Sequence, residues 1–381
     1  MKIYYLTRSL YPFQKTGGGQ IRKAQVDFFR RQNNAVTVVM PNYHSNETII
    51  NQDIIQIPYT QNIRMAFLLQ RLGVYEDYLD SWVKKAFDYL QNKITKEDII
   101  FATSGSELAS IKLGSLLKTC SNCKFIINFH DPLGYTSEFK LDNKIHISRD
   151  KFEKQYLQNA DFIVTSSLSH KHLLMEKYPE YSLKILNSYF GYVAKKSNTE
   201  SHKKDTLKIA YVGAMTNSQA PENLLYAYRK LNRLHQDKVH VYFIGDYSNY
   251  SPLQNIKDKN IFFIHYMPHN KFLKFMDKSI DVGYIGLSSD SLKYCVPSKL
   301  YEYINLEKPI LANIPKGDAY SIIEQNTYGV CCYNDIQCLV RSIEYLRHKE
   351  QYDKCKNSII RDKHHWSFEY QIEKMYSRVF K

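Results

Sequence analysis

Residues 297–311 read Pro297-Ser298-Lys299-Leu300-Tyr301-Glu302-Tyr303-Ile304-Asn305-Leu306-Glu307-Lys308-Pro309-Ile310-Leu311. An apolar, glycine-punctuated segment, Asp281 to Leu287, precedes them, followed by a polar loop over 288–296. A helix is expected to open near Ser298 and a strand to begin at Pro309, which makes one strand–loop–helix–strand unit of a parallel sheet. The first N–H groups of such a helix have no intrahelical partner, so they can hold a phosphate. Glu302 lies one turn inside, where a carboxylate can accept hydrogen bonds from ribose hydroxyls. The unit therefore reads as a nucleoside-diphosphate pocket. An ordinary βαβ unit would use the same Pro, Lys and Glu for capping and solvation, so a second half-site has to support the reading.

The N-terminus offers that second half-site. Met1 to Thr7 form a short apolar strand, and Tyr11-Pro12-Phe13 lead into Gly17, Gly18 and Gly19. A helix follows, apolar at Ile21, Ala24, Val26, Phe28 and Phe29. Glycines between a first strand and a first helix let backbone approach a ligand while helix N–H groups face it. The spacing is neither Gly-x-Gly-x-x-Gly nor a Walker loop. A third candidate is the apolar run Lys124 to Phe129, which ends in His130-Asp131-Pro132. Open α/β sheets place ligands at the C-terminal ends of their parallel strands.

These motifs resemble the GT4-type group of GT-B glycosyltransferases. The Pro297-Ser298-Lys299 to Glu302-Tyr303 and Lys308-Pro309-Ile310 spelling is similar to the donor site of that group. The resemblance implies two Rossmann-like α/β domains of parallel strands facing a cleft. It gives Glu302 to the donor ribose, with Pro297, Ser298 and Lys299 beside the donor. Gly17, Gly18 and Gly19 fall at the loop that approaches the diphosphate, and Gly213, after the strand Leu207–Val212, at a close-approach turn. His130 is implied in contact with the transferred sugar, with Asp131 orienting it or capping the turn at Pro132. The implied activity is transfer of a sugar from a nucleotide-sugar to a saccharide or lipid-linked acceptor, with retention, in surface-polysaccharide synthesis. The nucleotide-sugar, a UDP-sugar by expectation, is a substrate, and no cofactor or metal is implied. The sequence departs from the group at three places. Ala214 and Gln219 stand where an Arg and a Lys usually neutralise the diphosphate, and Tyr294 where a first Glu would precede Glu302. No Asp-x-Asp occurs to bridge the donor through a metal. Lys299, with Lys293 second, is therefore the expected substitute cation. A non-catalytic sugar-nucleotide-binding subunit and a GT-B epimerase are the alternatives.

The pattern along the chain agrees with two domains. Strands are expected at 2–7, 35–40, 54–58, 98–103, 124–129 and 161–165, and helices at 20–32, 63–93, 105–118, 150–158 and 168–177. A second βα series has strands at 207–212, 239–244, 261–264, 281–285, 309–312 and 329–332. The polar segment around 193–206 reads as a linker. The expected division is an acceptor-side domain over 1–195, a linker over 196–206, a nucleotide-sugar domain over 207–365, and a terminal helix over 366–381 that crosses back to the first domain.

The 381 residues are 44% hydrophobic and 24% charged, which suits a globular protein with ample core. No run reaches the roughly 18 apolar residues a transmembrane helix needs. The N-terminus does not read as a signal peptide, so the cytoplasm is the expected compartment. Seven cysteines suggest no disulfide framework, and Cys120-x-x-Cys123 reads as a pair of reduced thiols. The net charge of +14 implies a polyanionic or phosphorylated partner. No nucleic-acid motif accompanies it, and nucleic acid is not an expected partner. Basic and apolar residues alternate over 62–93, from Arg64 and Met65 to Lys93. Such a helix can lie on an anionic membrane, which implies peripheral contact at its inner face.

Overall fold

The computed structural model describes residues 1–14, 16–133, 152–193 and 205–381. By internal packing the chain divides into Met1–Val193 with Gln371–Lys381, and Ala194–Tyr370. Most of the expected linker lies outside the described residues.

The first unit is built on eight strands: β1 (Lys2–Leu6), β2 (Ala35–Asn42), β3 (Ile49–Asn51), β4 (Ile54–Pro58), β5 (Ile99–Gly105), β6 (Lys124–Asp131), β7 (Phe162–Thr165) and β8 (Ile185–Asn187). Their order is β3-β4-β2-β1-β5-β6-β7-β8, parallel except for the β3–β4 pair. Ile3 to Leu6 and the whole of β5 are buried, as strands covered on both faces must be. The order runs outward from β1 in both directions. The switch point therefore lies between β1 and β5, and the crevice beyond their C-terminal ends is where such sheets hold ligands.

The second unit repeats the plan with six strands: β9 (Leu207–Val212), β10 (Val239–Ile244), β11 (Ile261–Ile264), β12 (Val282–Gly286), β13 (Ile310–Asn313) and β14 (Gly329–Cys332). Their order is β11-β10-β9-β12-β13-β14, all parallel. Its switch point lies between β9 and β12. Both sheets are doubly wound, so the chain is α/β with two Rossmann-like halves.

Several expectations are corrected at the level of elements. The expected helix over 63–93 is two helices, Ile63–Arg71 and Asp80–Leu90. Gly73 breaks it with a φ of +76°, a conformation that costs glycine no steric strain. The helix expected from 105 starts at Ala109, because Ser106 lies at φ +79°. The first residues of the helix expected over 150–158 fall outside the described residues, and 152–157 are helical. The polar loop before Ser298 contains a 3-10 turn, Asp290–Tyr294. Cys332 and Cys338 form a disulfide, where the cysteine pattern suggested none. They lie six residues apart, at the end of β14 and in the first turn of the helix Ile336–Arg347, a proximity that spacing alone does not reveal.

The terminal helix Phe368–Val379 packs on the first unit. Tyr376 stands edge-on to Phe28, Phe380 lies 5.1 Å from Phe29, and Asn34 Nδ2 donates to the Tyr376 hydroxyl at 3.0 Å.

Candidate functional site

In the second unit the helix Ser298–Asn305 turns Leu300, Tyr301, Tyr303 and Ile304 into the core. Gly283 on β12 makes room for it, since a Cβ there would lie 2.3 Å from the Tyr303 ring. The Tyr303 hydroxyl donates to the Tyr284 carbonyl at 3.2 Å and anchors the helix across the sheet. Lys308 is also structural: it is buried, and its Nζ donates to the Asp277 carbonyl at 2.9 Å. Lys299 and Glu302, three residues apart, share a face of this helix that the core does not absorb. Pro297 is the N-cap and no side chain caps the helix; of the first-turn donors, Leu300 N bonds to the Pro297 carbonyl at 3.0 Å.

Lys299 reaches back over the switch point. Its Nζ donates to Gln219 Oε1 at 2.6 Å and to the Tyr211 hydroxyl at 3.2 Å, and it lies 4.4 Å from the Tyr211 ring centre. Burial pushes its pKa down to about 7. The Tyr211 hydroxyl also bonds to Gln219 Oε1 and the Ala214 carbonyl. Gly213 has a φ of +112°, which favours glycine, and a Cβ on it would come within 2.9 Å of Lys299 Cε, the movable end of that side chain. Gln219, at one of the positions where a cation was expected, is thus an uncharged partner of Lys299. Lys293 is exposed, with its Nζ 5.2 Å from the Tyr294 ring.

Glu302 accepts a hydrogen bond at Oε1 from His269 Nε2 at 3.0 Å, and its Oε2 is buried without a partner. This bond raises the His269 pKa against the opposing effect of burial. His269 went unnoticed in the sequence, where one histidine after a Pro carries no signal.

In the first unit, Thr16 caps the helix Gly17–Arg31 by accepting from Gly19 N at 3.4 Å. Gly19 is obligatory, since a Cβ would lie 2.2 Å from the Gln14 carbonyl oxygen. Gly17 is exposed and Gly18 half-buried at the mouth of the turn. Arg22, one turn on, is buried; its Nη1 donates to Gln14 Oε1 at 3.0 Å, and its Nε has no partner. A Cβ on Gly105, at the end of β5, would lie 2.8 Å from Arg22 Nη2. Arg8, just past β1, pairs with buried Glu107 at 3.5 Å.

His130, the penultimate residue of β6, lies in this cluster, 6% exposed, with its ring 4.5 Å from that of Phe190. Ser166 Oγ donates to its carbonyl at 2.7 Å, and its Nε2 has no partner. Burial, with Arg22 and Arg8 nearby, holds its pKa well below the usual value, so the ring is neutral at pH 7. Asp131 follows, half-buried, as the last residue of β6. Arg22 was missed in the sequence, although the signal was present: Arg22 and Gln25 occupy buried positions beside Ile21 and Val26. Polar residues on the core stripe of a helix need partners.

Beside this cluster a pocket of about 490 Å³ is lined by Arg8, Ser9, Gln14, Tyr43, His44 and Tyr78, among others. A neighbouring pocket of about 520 Å³ shares Tyr43, His44 and Ile63 with it and adds Tyr59, Gln61 and Asn62.

Two doubly wound sheets, each with glycines and a basic side chain at its switch point, define a two-domain Rossmann-like α/β protein. No family model and no curated protein matches the sequence. Solved structures do match. Lipopolysaccharide outer core galactosyltransferase WaaB is 13% identical, with a TM-score of 0.68 over 99% of this chain and 100% of that one. The UDP-forming α,α-trehalose-phosphate synthase from Burkholderia xenovorans, in complex with glucose-6-phosphate, is 9% identical, with a TM-score of 0.66 over all of both chains. A Listeria monocytogenes protein assigned as a UDP-N-acetylglucosamine 2-epimerase is 14% identical, with a TM-score of 0.59 over 94% of this chain and 91% of that one. The chain has the GT-B fold of glycosyltransferases.

Proposed function

We propose that the protein is a glycosyltransferase that moves a sugar from a nucleotide-sugar to a saccharide or lipid-linked acceptor, without a metal and with retention of configuration. The observation that carries this reading is the placement of Lys299 and Glu302 on one helix face, with Lys299 over Gly213 and Gln219 at the switch point. A departing nucleoside diphosphate needs positive charge and hydrogen-bond donors. Lys299 and the uncapped N-terminus at Pro297 and Ser298 supply both, and Glu302 takes the ribose. The UDP-forming synthase among the similar structures supports a UDP-sugar donor. In the reaction the anomeric carbon–diphosphate bond breaks as the bond to the acceptor oxygen forms, and the acceptor proton passes to the leaving diphosphate on the same face. No protein base is then required. His130, neutral at pH 7, contacts the transferred sugar, and Asp131 orients it.

The paired pockets of the first unit are the acceptor site. Tyrosines, amides and hydroxyls dominate their lining, which suits a saccharide, and Arg8 and His44 suit an anionic group on it. Close by, Ile63, Met65, Leu68, Leu72 and Val74 are exposed together with Arg64. This surface supports peripheral contact with an anionic membrane and a lipid-linked acceptor. None of the described helices is long and apolar enough to cross a membrane. The galactosyltransferase WaaB supports a place in surface-polysaccharide synthesis.

Glu302→Ala tests the reading. It should weaken donor binding by about 1.5–3 kcal/mol, the range for a hydrogen bond to a charged group, and leave the fold intact. Unchanged donor affinity by calorimetry would remove the donor site from this helix.

A further inference from the structure

His269 is the first residue of the helix Ser279 ends, which follows β11. Pro268 caps that helix, and its fixed φ sets the direction in which His269 leaves the backbone. The imidazole lies 6.0 Å from the Phe272 ring, near parallel to it, one turn further along. Its Nε2 then meets Glu302 Oε1 at 3.0 Å, joining residues 33 positions apart. The two side chains keep 31% and 23% exposure, so the pair stands at a surface a ligand can reach.

The two oxygens of Glu302 are not equivalent. Oε2 is buried and has no hydrogen-bond partner among the described residues. A solute hydroxyl therefore meets the carboxylate at Oε1, the atom His269 already holds. A carboxylate oxygen has two lone pairs, and His269 uses one. We infer that His269 is the positioning residue of the ribose site: it fixes the Glu302 carboxylate and shares Oε1 with a ribose hydroxyl of the donor nucleotide. This inference rests on the reading of Glu302 as the ribose acceptor. A carboxylate held in place before the ligand arrives loses less side-chain freedom on binding. A positive charge at a helix N-terminus is unfavourable, yet the bond to Glu302 raises the His269 pKa.

The test compares binding of UDP with 2′,3′-dideoxy-UDP by titration calorimetry; ADP or GDP and their dideoxy forms take their place if either stabilises the protein more than UDP. His269→Phe keeps a ring for Phe272 but removes the donor, and His269→Gln restores a donor. His269→Phe should weaken the ribonucleotide about tenfold, a loss of about 1.4 kcal/mol, and leave the dideoxynucleotide unchanged. His269→Gln should recover most of the loss. Equal losses for both ligands, or an unchanged or tighter ribonucleotide, overturn the inference. Glu302→Ala separates the two levels. If it abolishes the preference for ribose while His269→Phe does not, His269 has no positioning role and the Glu302 reading stands. If Glu302→Ala keeps the preference, or if none of the three diphosphates binds, both fall.

Discussion

Lys299 is a half-buried amine whose two hydrogen-bond partners, Gln219 and Tyr211, are both neutral. Such a group is costly to hold charged unless an anion joins it. Burial lowers its pKa to about 7, so near neutral pH it is only partly protonated before a ligand binds. A diphosphate favours the protonated amine, and binding therefore takes up a proton above that pH. The sign follows: affinity for a nucleotide-sugar is level below about pH 7 and falls as pH rises, by up to about tenfold per unit. Calorimetry from pH 6 to 8.5 checks it. Lys299→Met should bind more weakly at pH 6 and lose this pH dependence. An identical slope in wild type and variant would show that Lys299 does not face the diphosphate. Sequence alone pointed to Lys299 and Glu302, because residue type and spacing on a short helix carry that much. It could not supply Gln219, Tyr211 or His269 as their partners. These contacts join residues 33 to 88 positions apart, and a side chain that completes another's hydrogen bond leaves no local pattern.

Among elements, every expected strand is present within two residues at either end, and β4, β9, β10, β11 and β14 have the expected bounds. Short, mostly apolar runs bounded by turns are legible even at a sheet edge, where β11 and β14 lie. The edge strands β3 and β8 were not. Each has three residues, and all three residues of β3 are exposed, so no buried face imposes a pattern. The break at Gly73 was hidden for a different reason, since apolar and basic residues continue on both sides of it. That break leaves the helix Ile63–Arg71 as a short element with exposed Met65 and Leu68. If this surface meets a membrane, the protein should cosediment with phosphatidylglycerol vesicles, less so at high salt, and not with phosphatidylcholine vesicles. Met65→Ser with Leu68→Ser should remove most of that binding. Equal binding to both lipids, or retention by the double variant, would contradict the membrane role.

At the scale of the molecule, the +14 charge and the two doubly wound sheets were both foreseeable. The charge said only that partners are anionic. The sheets locate ligand sites by a topological rule that holds whatever the ligand, which is why fold was easier to read than substrate. In the proposed function the second unit carries a nucleotide-sugar site that works through Lys299 and Glu302 and not through a bound metal. The most direct measurement is release of nucleoside diphosphate from a panel of nucleotide-sugars, with a mixed saccharide acceptor pool and excess EDTA, for wild type, Lys299→Met and Glu302→Ala. Wild type should consume one donor in chelator, and both variants should lose most of that turnover. Consumption that requires added Mn²⁺ or Mg²⁺, or that survives in both variants, would contradict it.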